Sequence, residues 1–277
     1  MTMSNDVPLL FYGVLERSKA GTSLDEVIEQ VSSLGYAILD SGYSSSQIQG
    51  ISAEFDRTLE CYVETYGESR LRALNEIYTI RSPFAHGGKS FIDLALNDRL
   101  LSALRGLISG KFILNQQNGV INPPQEEYNQ GAWHRDLPYQ HFVSSRPLAV
   151  NALFCVDDFT FDNGATFVLP ASHKSEAFPS ENYINKNAVQ IEAKAGSFIL
   201  LDCMLFHAGG FNNSHSVRRA INHVYTIPFF KQQINIPKSF DGVGLSSEGK
   251  DIFGFDYIEP CSILEYLSAR DAKNTKY

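Results

Sequence analysis

The sequence has no long apolar run and no excess of basic charge. Its 277 residues include 31 acidic and 23 basic side chains, which gives a formal net charge of -8 at pH 7. This charge balance is unfavourable for binding phosphate backbones or anionic lipids, so we expect neither nucleic acid nor a membrane as a partner. No stretch reaches the roughly 18 consecutive apolar residues that a membrane-spanning helix needs. Asp6 and Pro8 stand where a secretion signal would have basic and then apolar residues, so we expect a cytoplasmic protein.

Cysteine is scarce, and its four copies are far apart. Cys61, Cys155, Cys203 and Cys261 form no Cys-x-x-Cys pair, and each lies in an apolar neighbourhood of the sequence. We interpret them as buried free thiols in a reducing compartment, with disulfides as the less favoured alternative.

The overall composition is that of an ordinary folded protein. Hydrophobic residues make up 43% of the chain, aromatic residues 12% and charged residues only 19%. This balance argues against a disordered chain and provides enough apolar side chains for a sizeable core. The length alone fits one large β-type domain or two small domains, so the pattern of predicted elements has to decide between them.

Residues 1–110 carry the pattern of amphipathic helices. After Thr22, apolar side chains recur at helical spacing, and Ser23 with Glu26 has the spacing of a capping box. Gly35 then ends the helix. The predicted elements of this part are a helix over 22–35, a strand over 36–39, a helix that follows Ser44 and extends to Tyr66, and a helix over 90–108.

From Lys111 onward, short β-rich runs alternate with turn residues, as in an all-β barrel or sandwich. Helices packed at one end of a single antiparallel double-sheet roll account for both halves of the chain. The predicted runs are 112–117, 148–156, 166–169, 188–192, 197–201 and 220–227. We therefore predict one domain over 1–277, with a helical part (1–110), a β-core (111–230) and a C-terminal part (231–277) that has a mobile loop over 239–255 and a short helix over 261–272.

His134-Arg135-Asp136 is the only His-x-Asp triplet in the chain, and it stands just ahead of a β-rich run. A mononuclear Fe(II) site for O2 chemistry uses two imidazoles and one carboxylate on one face of the metal. Residues two apart in an extended segment point the same way, so His134 and Asp136 can supply two of these ligands. His207 fits as the third, because it follows an apolar strand-like run and precedes Gly209.

An arginine follows at the start of the last β-rich run. The guanidinium of Arg218 could bind a carboxylate through two parallel hydrogen bonds. That geometry suits the far carboxylate of 2-oxoglutarate, whose keto acid end would chelate the iron. Arg219 is the alternative, but in a strand the two side chains point to opposite faces, so only one of them can serve.

Four separated motifs together resemble the phytanoyl-CoA dioxygenase family of Fe(II)- and 2-oxoglutarate-dependent oxygenases. They lie between residues 110 and 228, in the order and spacing of that family. The motifs are His134-Arg-Asp136, Asn163-Gly-Ala-Thr-Phe-Val-Leu-Pro-Ala-Ser-His173-Lys174, Gly196-Ser-Phe-Ile-Leu-Leu-Asp202, and His207 followed by Arg218.

The resemblance implies a mainly β fold with flanking helices around a double-stranded β-helix core of the jelly-roll, cupin-like kind. It also implies Fe(II), 2-oxoglutarate and O2 as cofactor and cosubstrates. By position, two further polar residues lie on strands where relatives contact cosubstrate or substrate. The implied site residues are His134, Asp136 and His207 for catalysis at the iron, Arg218 for 2-oxoglutarate, and Gln116 and Asn151 as further cosubstrate contacts.

The implied enzyme is a 2-oxoglutarate-dependent non-haem iron dioxygenase, whose default reaction hydroxylates a small molecule and converts 2-oxoglutarate to succinate and CO2. In relatives that halogenate, a small residue replaces the carboxylate of the His-x-Asp motif, so Asp136 argues against halogenation. Desaturation, epimerisation and cyclisation with the same cofactors stay open as alternatives, as does a β-roll that only binds a ligand. The sequence leaves the substrate and the oligomeric state open.

Basic residues suggest an anionic substrate without identifying it. Arg81, Lys89, Arg135 and Arg146 either line a substrate mouth or lie on solvated loops. An acyl-CoA is disfavoured, because its phosphates prefer a basic patch and the chain is acidic.

Other polar residues are expected to be structural. They are His173 in a turn, His223 in a strand, and Asp157 with Asp158 at a strand end on the surface.

Overall fold

Helices precede and follow two antiparallel sheets in the computed structural model, which describes residue 7 and residues 10–86, 88–240 and 244–274. The helices are α1 (Ser23–Leu34), α2 (Ser45–Tyr66), α3 (Glu68–Ala73), α4 (Lys89–Ala95), α5 (Asp98–Leu107), α6 (Glu181–Asn187), α7 (Ser247–Phe253) and α8 (Ile263–Asn274). The strands are β1 (Tyr36–Asp40), β2 (Thr79–Arg81), β3 (Ile113–Asn122), β4 (Ala149–Cys155), β5 (Phe167–Val168), β6 (Val189–Gln190), β7 (Ser197–Asp202), β8 (His207–Ala208) and β9 (Arg218–Thr226).

The strands form a larger and a smaller sheet. The larger sheet has the order β1-β7-β4-β9-β3-β2, and the smaller sheet has the order β6-β5-β8. Every pair of neighbouring strands is antiparallel. This mainly β architecture with flanking helices is the one that the sequence predicts.

Side chains of the larger sheet alternate between its two faces. On β4, Val150, Ala152 and Phe154 pack into the cluster that holds buried residues of the helices, including Phe55 and Leu104. Each of the larger of these side chains, such as Val150 and Phe154, contributes about 1.5–3 kcal/mol when it is fully buried. The residues between them face the other way, towards the smaller sheet. The predicted site residues therefore lie between the two sheets. The helices pack on the opposite face of the larger sheet.

The helix signals of the N-terminal part are correct in place but not in every detail. The capping box of α1 is formed by Thr22 with Asp25, one residue before the predicted Ser23 and Glu26. Gly35 ends α1 in the left-handed conformation, as predicted. An added Cβ there would lie 2.5 Å from Leu205 Cδ1, so only glycine fits this position without rearrangement.

The single helix predicted over 90–108 is wrong, because the chain breaks into α4 and α5 at Asn97. The side chain of Asn97 accepts a hydrogen bond from Leu100 N at 3.0 Å and donates one to Ser41 O at 3.0 Å. An asparagine in this position starts a new helix, since its side chain satisfies a free backbone donor of the first turn.

The mobile loop predicted over 239–255 is also wrong for most of its length. Ser246 caps α7, which buries Ile252 and Phe253 against the helical side of the molecule. The cap by Ser246 and the burial of Ile252 and Phe253 stabilise a helix here, although the glycines had suggested a loop. Residues 241–243 of that prediction lie outside the described residues. The last predicted helix is confirmed as α8.

The four cysteines are free thiols, as expected, but only two of them are buried. Cys155 and Cys203 lie in the interior, whereas Cys61 and Cys261 are exposed. Cys61 falls outside the inward-facing stripe of α2, which runs through Phe55 and Tyr62 among others. An apolar neighbourhood in sequence therefore did not predict burial on a helix.

No helix within the described ranges combines the length and the apolar character that crossing a lipid bilayer requires.

A buried polar pair links the larger sheet to the helices. His223 Nε2 on β9 lies 2.8 Å from Gln117 Nε2 on β3, and both side chains are fully buried. Gln117 Nε2 also donates to Phe91 O at 2.7 Å, and His223 Nδ1 lies 3.0 Å from Ala152 O. Since a carbonyl only accepts, Nδ1 carries the proton and Nε2 accepts from Gln117. His223 is thus a satisfied interior histidine, and burial lowers its pKa to about 4.

Stability should fall in mild acid because of His223. The folded ring stays neutral down to about pH 4, whereas the unfolded ring has its ordinary pKa of 6.5. The unfolded chain therefore binds more protons between these values, and the free energy of unfolding decreases as the pH falls through that window. Between pH 7 and pH 5 this loss amounts to about 2 kcal/mol. Urea unfolding of wild type and His223→Gln at both pH values measures it, and equal losses in the two proteins would contradict the prediction.

Candidate metal centre

Two backbone hydrogen bonds join the segments that carry the predicted metal ligands. His134 N donates to His207 O at 3.0 Å, and His207 N donates to His134 O at 3.1 Å. Asp136 N donates to Cys203 O at 3.0 Å in the same ladder. This pairing brings the His-x-Asp triplet beside β8, although the two are distant in the sequence.

The three predicted ligand side chains converge on one point. Asp136 Oδ1 lies 3.8 Å from His134 Nε2 and 3.6 Å from His207 Nε2. One ligand atom from each residue lies within 4.8 Å of the other two. Two imidazoles and a carboxylate at these separations form a donor set that suits Fe(II) and leaves further coordination positions open.

Both imidazoles are oriented by backbone carbonyls. His134 Nδ1 lies 2.8 Å from Ala132 O, and His207 Nδ1 lies 3.0 Å from Leu205 O. Each Nδ1 therefore carries a proton, which leaves the Nε2 lone pair directed at the gap beside Asp136. Burial lowers the pKa of His207, while the charge of Asp136 opposes this shift. The neutral ring that results is the form that binds a metal.

The third ligand is also oriented. Asn151 on β4 is buried, and its Nδ2 donates to Asp136 Oδ2 at 2.8 Å. This contact leaves Oδ1 of Asp136 facing the two histidines. From the sequence, Asn151 was expected to line this cavity and to contact the cosubstrate. Its hydrogen bond to Asp136 was not indicated by the sequence.

Arg218 is a buried cation in the same cavity. Its guanidinium lies 3.9 Å from the centre of the Phe159 ring and donates to Tyr128 Oη at 3.2 Å. Its Nε has no hydrogen-bond partner, and no carboxylate of the described residues forms an ion pair with it. Burial lowers the pKa of Arg218. A buried charge without a counter-ion costs several kcal/mol, so the site fits a ligand that brings a carboxylate.

Arg219 points to the opposite face, as the strand period predicts. It forms ion pairs of 2.6 Å with both Asp56 and Asp157. The pair with Asp56 joins β9 to α2, and the pair with Asp157 joins β9 to the turn after β4. Asp158 pairs with Lys194 at 2.9 Å. The two neighbouring aspartates are therefore occupied by structural ion pairs, in line with the expected structural role.

Comparison with known proteins agrees with this geometry. The sequence profile of the phytanoyl-CoA dioxygenase (PhyH) family matches residues 32–220. The chain belongs to this family. It is 34% identical over 219 residues to the uncharacterized protein Rv1501 of Mycobacterium tuberculosis, covering 77% of this chain and 79% of that protein. It is 27% identical over 239 residues to dioxygenase olcK of Penicillium canescens, covering 78% and 76%.

Solved structures show the same fold. EctD from S. alaskensis with bound Fe superposes with a TM-score of 0.60 at 21% identity, over 73% of this chain and 76% of that one. This likeness confirms the predicted jelly-roll core. With its family established, this chain is a non-haem iron oxidoreductase that uses Fe(II), 2-oxoglutarate and O2.

The remaining predicted residues differ in where they lie relative to the candidate centre. Gln116 lines an outer pocket that also borders His134 and Asp136, whereas Arg218 lines an inner one. His173 is buried, with its Nε2 3.3 Å from Ser32 O, which agrees with the expected structural role.

Tyr128 is the functional candidate that the sequence did not indicate. Its hydroxyl reaches Arg218 across the cavity, and an added Cβ on Gly209 would clash with that hydroxyl. The Gly209-Gly210 pair after His207 was the available signal, because adjacent glycines often mark a close approach by another group.

Arg135, between two candidate ligands, faces away from them and is 2% exposed. Its guanidinium lies 3.9 Å from the centre of the Phe206 ring. It is therefore neither a solvated loop residue nor a free cation at the substrate mouth. It donates to four backbone carbonyls, those of Gln140, Ser172, Ser175 and Glu176.

Replacing Arg135 by methionine should destabilise the protein. Four carbonyls lose the guanidinium, although Ser172 O still accepts from Ser175 N at 3.2 Å, and we expect the free energy of unfolding to fall by about 2–4 kcal/mol. Arg146→Met is the matched control, because Arg146 is exposed and bonds only the Ser109 hydroxyl, so its change should stay near ~0.5 kcal/mol. Urea unfolding of both variants measures the difference. Similar losses in the two would show that the four carbonyl contacts contribute little.

Proposed function

We propose that this enzyme hydroxylates an unactivated carbon of a small molecule, with His134, Asp136 and His207 as the iron ligands and Arg218 as the partner of the far carboxylate of 2-oxoglutarate. The observation that carries this proposal is the convergence of the three ligand atoms beside a buried guanidinium that lacks a carboxylate. We also propose that residues 1–277 act as one dioxygenase domain. Support for this comes from a buried cluster that contains residues of both the helices and the larger sheet.

When bound, iron and 2-oxoglutarate would supply the oxidising chemistry, in which O2 gives one oxygen atom to the substrate and one to succinate as CO2 is released. The residues of the chain prepare this reaction. The two imidazoles are oriented by the carbonyls of Ala132 and Leu205, which lie beside their Nδ1 atoms, so that Nε2 of each ring faces the metal position. Asn151 fixes the rotation of the Asp136 carboxylate.

The electrostatics of the inner cavity select the cosubstrate. Arg218 offers a charged, planar donor set at the end of the cavity, and Tyr128 adds a hydroxyl beside it. A dicarboxylate can contact this arginine with one end while its keto acid end reaches the metal ligands. The Asp136 carboxylate would hold the iron at the position that a halide would need, so hydroxylation is favoured over halogenation.

The mass of the product tests the proposed reaction. Under ¹⁸O2 and with 2-oxoglutarate, we expect the substrate to gain one labelled oxygen atom and an equal amount of succinate to form. Mass spectrometry of both products provides the measurement. A loss of two hydrogens would establish desaturation or cyclisation, and an unchanged mass would establish epimerisation; either result would overturn hydroxylation.

Arg218→Lys should raise the concentration of 2-oxoglutarate needed for half saturation by about tenfold or more, since lysine cannot form two parallel bonds to a carboxylate. Arg219→Lys is the matched control on the adjacent residue, because it faces the helices and keeps a charge beside Asp157. We expect its half-saturation to change by less than about twofold. Titration of the Fe(II) protein with 2-oxoglutarate under nitrogen measures both. An equal effect of the two substitutions would remove Arg218 from the cosubstrate site.

A further inference from the structure

Two pockets meet at His134 and Asp136. The inner pocket contains Arg218, and the outer pocket lies beside it, between β3, β9 and the chain that follows β9. If 2-oxoglutarate binds Arg218, as the proposed function holds, the outer pocket is left for the substrate. The further inference rests on that assignment and concerns the chemical class of this substrate.

Among the described residues that line the outer pocket, both arginines, Arg81 and Arg135, have partners within the protein. Arg81 at its wall donates from Nε and Nη2 to the two carboxylate oxygens of Glu76, at 2.8 and 2.6 Å. Its Nη1 donates to Gln233 Oε1 at 3.4 Å and, in the amide orientation that satisfies both groups, to Asn118 Oδ1 at 3.3 Å. Every part of this guanidinium is therefore occupied within the protein, and its charge is balanced by Glu76.

The other three basic residues that suggested an anionic substrate, Lys89, Arg135 and Arg146, also have partners within the protein. Lys89 pairs with Asp93 at 2.7 Å, and Arg146 donates to the Ser109 hydroxyl. Arg135 is committed to backbone carbonyls. Of the four residues that suggested an anionic substrate, Arg81 and Lys89 are paired with carboxylates, Arg135 is held by backbone carbonyls, and Arg146 is not part of the outer pocket. A carboxylate or phosphate that enters the outer pocket would therefore lose its hydration without meeting a cation that is free to pair with it.

Carboxamide groups take the place of charge in the outer pocket. Gln116 and Asn222 stand on neighbouring strands, and Gln130 precedes His134 in the chain. Gln130 and Asn222 also border the inner pocket. The buried Oδ1 of Asn222 has no hydrogen-bond partner in the described part of the chain. A carboxamide at the pocket wall presents a donor and an acceptor side by side.

The pocket is also poor in apolar surface. Of the described residues that line it, only Val120 and Ala132 are apolar. A fatty chain would leave several polar groups without partners, at a cost of about 1–3 kcal/mol for each buried group. Both an anion and a hydrocarbon therefore suit this wall less well than a neutral polar molecule.

We propose that the outer pocket binds an uncharged substrate rich in hydroxyl groups, such as a glycoside or another polyol. A hydroxyl both donates and accepts at a single atom, so adjacent hydroxyls match the donor and acceptor of one carboxamide. A site of this kind rejects analogues that lack the hydroxyls, because its own polar groups are then left unpaired. Gln116, Gln130 and Asn222 are the residues that carry this selectivity.

Isothermal titration calorimetry under nitrogen tests the proposal with sets of matched ligands. The probes are neutral methyl glycosides of glucose, galactose and mannose, the uronate counterpart of each, and 2-methoxytetrahydropyran, which has the ring without the hydroxyls. The Fe(II) protein is first loaded with 2-oxoglutarate. We expect at least one neutral glycoside to bind about tenfold more tightly than its uronate and than the bare ether.

Substitutions locate the binding. Gln116→Ala and Gln130→Ala should each weaken the glycoside by about two- to tenfold, the range expected for one lost hydrogen bond. Gln30→Ala is the control, because Gln30 is an exposed carboxamide on α1, away from the pocket, and this change should have no effect.

The proposal is overturned if no neutral glycoside binds better than its uronate and the ether, or if the pocket substitutions act no more strongly than Gln30→Ala. These failures are distinguishable from failure of the proposed function. The absorption change on adding 2-oxoglutarate to the Fe(II) protein is recorded before each titration. If wild type shows no absorption change, the proposed function itself is refuted. If the absorption change is present but uronates bind best, only the proposal of a neutral substrate is refuted.

Discussion

The candidate centre depends on the reciprocal backbone hydrogen bonds between His134 and His207. Each bond contributes only about 0.5–1.5 kcal/mol, so this pair cannot hold two distant segments together alone. It is stabilised on one side by the pairing of β8 with β5, and on the other by the guanidinium of Arg135. The same register that pairs the backbones turns the two imidazoles and the Asp136 carboxylate towards one point.

The inner and the outer pocket differ in their charges. The inner cavity holds a carboxylate beside two histidines, with a buried guanidinium that has no carboxylate partner among the described residues, so it suits a divalent cation together with a dicarboxylate. In the outer pocket, the guanidinium of Arg81 is neutralised by Glu76, and that of Arg135 is bonded to backbone carbonyls. Formal charges counted along a sequence do not reveal this distinction, because Arg81 and Arg218 differ only in the partners that the fold provides.

Much of the fold and of the candidate site follows from local pattern. The period of two in the β-rich runs separates a helix-facing side from a cavity-facing side, and this places Arg218 and Arg219 on opposite faces. What the sequence missed depends on contacts between distant segments. The structural role of Arg135 could not be predicted, because its partners are carbonyls from separate turns. The place of Tyr128 in the site could not be predicted either, because its hydroxyl meets Arg218 only in the folded chain. The helix break at Asn97 was readable, since an asparagine cap is a local signal.

The binding of iron by His134, Asp136 and His207 is the claim on which the account rests. Adding 2-oxoglutarate to the Fe(II)-loaded protein under nitrogen should produce a visible metal-to-ligand charge-transfer band in wild type. The band should persist in His215→Ala, whose histidine is exposed and distant from the centre, and vanish in His134→Ala, Asp136→Ala and His207→Ala. Bound iron that gives no band in wild type, or a band that survives loss of any of the three side chains, would contradict the assignment.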